Sequence, residues 1–100
     1  MQAERFKAEL RARIRGSGES LQRLYQEICR LVALAYPSAD SSLTTYVAKE
    51  AFITALNNHK LQIEVMKKEP HNIEEALNYC YETSFLSHNN YVILSFLSYY

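Results

Sequence analysis

The stretch SLQRLYQEICRLVALAY, residues 20–36, decides the fold class. Leu21, Leu24, Tyr25, Ile28, Leu31, Val32 and Ala35 recur at spacings of three and four, which lays one apolar stripe along a helix. Gln22, Arg23, Gln26, Glu27 and Arg30 fill the opposite face. Gly16-Ser17-Gly18 breaks the chain before this segment, and Pro37 stops it. Glu19 falls where a helix dipole favours an anion. A helix this strongly patterned needs partners of the same kind, and the rest of the chain supplies them.

Upstream, Phe6, Leu10 and Ile14 repeat every four residues with Ala3 nearby, predicting a shorter helix over 3–14. Its stripe is thin, so it must lean on another element or belong to the end of a preceding domain. Downstream of a turn at 37–42, Leu43, Tyr46, Val47, Ala51, Phe52, Ile53, Ala55 and Leu56 predict a third helix, ended by Asn57-Asn58. Its apolar arc is too wide for one contact. Leu43, Tyr46, Val47 and Glu50 form a face separate from Phe52, Ala55 and Leu56, and a helix apolar on two sides has two partners. Leu61, Ile63, Val65 and Met66 fit a short helix or an extended bridge equally well. Beyond Pro70, Ile73, Ala76, Leu77 and Cys80 predict a helix over 73–83. Asn72 and Glu75 have the spacing of a capping box at its start, in which each side chain takes the other residue's backbone N–H.

Composition agrees with a single helical domain. With only two glycines and two prolines in 100 residues, the chain lacks the punctuation of a many-turned β fold. At this length one core suffices without metal or disulfide staples. Eleven basic and eleven acidic residues cancel, which argues against a dedicated nucleic-acid binder. The local surplus in residues 1–20, from Arg5, Lys7, Arg11, Arg13 and Arg15, reads as a solvated helix face. Cys29 and Cys80 match no metal-ligand spacing and read as core thiols of an intracellular, cytoplasmic chain. The first residues, MQAERFKAELRARIR, hold no apolar signal core, so no secretory route is expected.

The chemistry-bearing residues do not assemble into a catalytic pattern. Gly16-Ser17-Gly18-Glu19-Ser20 lacks both the nucleophile elbow and the phosphate loop with its lysine. Glu74 and Glu75 suit a helix N-terminus better than acid–base work. His59, His71 and His88 are scattered, Lys67-Lys68 is a solvated turn, and the eight tyrosines have no basic groove around them. The expectation is therefore a non-enzyme with no catalytic residue, no metal, no cofactor and no small-molecule substrate. The segment FLSHNNYVILSFLSYY, residues 85–100, is uncharged but too short to cross a bilayer, which takes about twenty apolar residues in a helix. No membrane span is expected.

In order and spacing, three segments resemble the capsid domain of Gag proteins from gypsy-type LTR retrotransposons. Residues 13–21, Arg13 to Leu21, look like the major homology region of that family, in which a Gly and a Glu three residues later precede an amphipathic helix. Gly16 and Glu19 fill those two places, followed by Ser20 and Leu21. Ala51-Phe52-Ile53-Thr54-Ala55-Leu56 is similar to a family helix motif, and Asn72-Ile73-Glu74-Glu75-Ala76-Leu77 is similar to the start of its last capsid helix. The resemblance covers residues 13–83. It implies an all-α fold, a compact four-helix bundle with a short connecting helix, like the retroviral capsid C-terminal domain. It divides the chain into residues 1–15, a helix or linker from a preceding capsid domain, residues 16–84, the capsid-like domain, and residues 85–100, an atypical apolar tail expected of a truncated or frameshifted copy.

The resemblance also implies a structural role, homo-oligomerisation, with the chain itself as partner in a dimer centred on Leu43, Tyr46, Val47 and Glu50. Two departures bear on this. The Gln before the Gly and the Arg on the helix, which bond to the Glu in orthoretroviral members, are replaced by Arg15 and Glu27. Glu19 is therefore expected to cap backbone N–H groups or to pair with a nearby Arg such as Arg15 or Arg23. No zinc knuckle follows, so an RNA role falls to flanking regions. The alternatives are a domesticated, SCAN-like dimerisation module, which would allow a nuclear location, and a nucleic-acid-binding helical domain.

Overall fold

The computed structural model of the chain describes residues 2–84. Residues 85–100, with His88 and the expected tail, lie outside the described residues. All regular structure among the described residues is helical: α1 Gln2–Ala12, α2 Leu21–Ala35, α3 Ser41–Ala55, α4 His59–Lys67, and α5 over 73–84. The all-α expectation holds.

Four of the five helices start on a capping side chain that accepts a backbone N–H three residues on. Ser20 takes Arg23 N–H at 3.0 Å, Asp40 takes Leu43 at 2.9 Å, Asn58 takes Leu61 at 3.1 Å and Asn72 takes Glu75 at 2.8 Å. Each bond satisfies one of the orphan donors at a helix start. The Asp40 cap begins α3 two residues before Leu43. Asn57 and Asn58 divide two tasks: Asn57 takes the left-handed conformation that ends α3 (φ 55°), and Asn58 caps α4. Asn is among the few residues that tolerate positive φ.

The segment at 61–66 is helical, and burial gives the reason. A strand would turn Leu61, Ile63 and Val65 to one side, but Leu61 and Val65 are buried while Ile63 is 38% exposed. Spacing by four wins over spacing by two. Gln62 then donates its side-chain amide to the carbonyls of Ile53 and Thr54, both at 3.0 Å, at the end of α3, where the Ile53 carbonyl also accepts the Leu56 N–H.

One core joins all five helices. Leu24, Ile28 and Leu31 of α2 meet Phe52 of α3, Val65 of α4, and Ala76 and Cys80 of α5, with Leu10 of α1 in the same cluster. The thin stripe of α1 thus leans on α2 through Leu10 and the partly buried Phe6. Ile14 departs from its expected place. α1 ends at Ala12, and Ile14 is 59% exposed on the way into the turn. The chain leaves the helix there because the Arg15 N–H is drawn to the Ala55 carbonyl at 2.7 Å, which pins the turn to the end of α3.

Candidate functional site

Two regions carry the residues singled out by sequence, the turn before α2 and the outer face of α3. In the turn, Gly18 supplies a left-handed conformation (φ 77°) that a side chain would strain. The chain then folds back so that the Glu19 N–H reaches the Gly16 carbonyl at 3.0 Å. Glu19 Oε1 accepts the Gly16 N–H at 2.9 Å, while Oε2 receives the Arg13 guanidinium. The Glu19 side chain is only 9% exposed. The Arg13 hydrogen bond, and after it the Gly16 N–H, hold its carboxyl below the usual range for a glutamate.

The expected backbone cap and arginine pairing are both present, with Arg13 joining Arg23 at the carboxylate. Arg13 closes on the carboxylate, and Arg23 stands farther off at 3.6 Å. Arg15 is used elsewhere, donating Nε to the Glu19 carbonyl at 2.8 Å. Arg13 was not legible as the partner because it sits six residues upstream, across a turn whose path no periodicity describes. Ser20 caps α2, and Leu21 is buried at the head of its stripe.

On α3 the two faces separate as their spacing predicts. Phe52, Ala55 and Leu56 are buried. Leu43 is 44% and Tyr46 58% exposed, and Glu50 is exposed beside them. Val47 lies at the seam, half-buried and packed on the core. Lys49 holds its ammonium 5.4 Å from the centre of the Tyr46 ring. Between this face and α1 runs a cleft with an apolar floor of Leu10, Tyr36 and Ala51. Lys7 and Arg11 line its α1 side. Sequence reasoning missed the cleft, since it exists only once α1 docks.

The remaining candidates serve the fold. Asn72 caps α5 as expected, but the return arm of the capping box lands one residue earlier. Glu75 accepts the His71 N–H at 2.9 Å, and the His71 ring Nδ1 lies 3.0 Å from the same oxygen. Glu74 accepts the Tyr25 hydroxyl at 3.1 Å, tying α5 to α2. Burial first, and then this carboxylate, push the Tyr25 hydroxyl up to about 12. Burial likewise pushes the Cys80 thiol up to about 11 and the half-buried Cys29 thiol upward. Both thiols are protonated at neutral pH, and a protonated thiol is a poor nucleophile. Among the described residues, no three His, Cys, Asp or Glu side chains gather as a metal set. No described helix is long and apolar enough to cross a membrane. Compared with known proteins, the chain matches no described family, no curated protein and no solved structure.

Proposed function

We propose that this chain is a capsid-type homodimerisation domain of the retrotransposon Gag kind, a structural element of a cytoplasmic particle that performs no catalysis. The observation that carries the reading is the two-sidedness of α3. One face closes the core through Phe52 and Leu56, while the other leaves Leu43 and Tyr46 exposed next to Val47. Exposed aromatic residues at the centre of a patch are characteristic anchors of protein interfaces. In a symmetric dimer each such residue meets its own counterpart or a near neighbour, so the small apolar patch is doubled.

The turn at Gly16–Glu19 supports the same reading from the other side. Its carboxylate, two arginines and backbone N–H form a closed node that fixes α2 against the end of α3. A rigid base for α3 keeps its outer face presented in one orientation. One such contact is weak alone, and many copies supply avidity. The same surface would serve a domesticated dimerisation module in a host protein, and neighbouring genomic sequence separates the two settings.

Light scattering coupled to size exclusion tests the proposal. The full chain should show a mass that rises to a dimer with concentration. Tyr46→Ala combined with Val47→Ala should hold it at the monomer mass with far-UV helicity retained. A double variant that dimerises like the parent sinks the reading.

A further inference from the structure

The cleft beside Tyr46 has a feature that the exposed face alone does not explain. Its volume is 460 Å³, within the range of roughly 300–1,000 Å³ typical of pockets that enclose a ligand group. The floor is apolar, yet the two walls carry opposite charges: Arg11 on α1 and Glu50 on α3. The other cations there are engaged. Arg13 is committed to Glu19, and Lys7 pairs with Glu4 at 3.2 Å while lying 4.9 Å over the Tyr36 ring. Arg11 has no ion-pair partner among the described residues. Glu50 has only its chain neighbour Lys49, at 3.8 Å.

A protruding aromatic ring, an apolar cleft next to it, an Arg11 unpaired among the described residues on one wall and a Glu50 held only by its chain neighbour Lys49 on the other make a patch that complements itself. Turned about a two-fold axis, such a patch presents a ring to a cleft and a carboxylate to a guanidinium, twice over. An acidic partner would gain Arg11 and be repelled by Glu50, and a basic one the reverse. Only a partner bearing both signs in the same arrangement satisfies both walls.

We infer that the cleft between α1 and α3 receives Tyr46 from a second copy of this chain, and that Arg11 of each copy pairs with Glu50 of the other. This rests on the homodimer reading and adds α1 to the interface. Charge then sets which copies associate, and Tyr46 provides the apolar anchor. Two exposed pairs contribute little affinity, but reversing one charge replaces attraction by repulsion at two symmetric places.

Charge reversal in trans is the test, made on the full chain by sedimentation velocity over a concentration series. Arg11→Glu alone and Glu50→Arg alone should each weaken dimerisation about tenfold or more, since each homodimer brings like charges together twice. Mixing the two variants should recover a dimer containing one of each, because both cross pairs are then opposite in sign. Recovery on mixing supports the inference, since a pair within one chain cannot be repaired by a second chain. Single variants that dimerise like the parent, or a mixture that stays monomeric, overturn it. Should a reversal disturb α1, Arg11→Ala and Glu50→Ala run the same pairing as a double-mutant cycle, and additive effects overturn the pairing. A parent dimer lost with Tyr46→Ala but indifferent to charge reversal overturns this inference and leaves the homodimer reading standing. A parent chain that stays monomeric throughout overturns both.

Discussion

Glu19 shows how a single carboxylate is made structural. It lies at the start of α2, where a solvated anion would already be favoured, yet its side chain is nearly buried and spans Arg13 and the Gly16 N–H. Hydrogen bonds to a charged group contribute more than neutral ones, about 1.5–3 kcal/mol each. Glu19→Gln keeps the shape but loses the charge, so urea unfolding at neutral pH should show a loss of about 2 kcal/mol. The pH dependence fixes the cause. Because the folded carboxyl titrates below its ordinary value of 4.5, its contribution is complete above that value and is lost as pH falls through the folded one. The gap between parent and variant should therefore be constant near neutrality and close in acid below 4.5. A gap that persists unchanged into strong acid would mean that packing, not charge, holds the turn. Gly16 and Glu19 stood out as a pair only through the resemblance of this turn to the capsid-type homology region. Arg13 did not, because a turn places it and no repeat encodes that turn.

At the scale of the elements, α4 teaches the most. Its apolar residues fit two periods at once: Leu61, Ile63 and Val65 alternate like a strand, while Leu61 and Val65 alone fit a helix. Sequence could not choose, since the decision lies in what the segment packs on. The Asn58 cap and the Gln62 amide on the carbonyls of Ile53 and Thr54 tip the balance toward a helix. Val65→Ala should cost about 2 kcal/mol by chemical denaturation, as removal of buried methyl groups does, and Ile63→Ala less than about 1 kcal/mol. Equal losses at the two positions would contradict the helical register. Gln62→Ala should cost about 1 kcal/mol without altering the dimer, since its partners are backbone acceptors within the same chain. The longer helices were readable because many residues vote for one period. The ends were less so, and Ile14 fell outside α1 because a tertiary bond from Arg15 to Ala55 decides where that helix stops.

For the whole molecule the question is how one helix can serve both the core and a partner. Phe52 is fully buried where α3 meets the other helices, whereas Tyr46, six residues earlier, is mostly exposed. The exposed face was legible in sequence as surplus apolar arc, but the cleft was not, because its far wall comes from α1, more than thirty residues away along the chain. Stability and association should therefore separate by residue. Phe52→Ala opens a cavity in the shared core and should cost about 3–5 kcal/mol, enough to threaten folding of a domain this size. Tyr46→Ala removes no core contact and should leave monomer stability within about 0.5 kcal/mol. Mass action then supplies a readout that does not depend on resolving the dimer directly. A partner that binds only the folded state raises the melting temperature with protein concentration. The parent chain should melt higher as it is concentrated, and Tyr46→Ala should melt at one temperature throughout. If both melt independently of concentration while folded, the exposed face of α3 is a solvent-facing surface and the capsid-type reading fails with it.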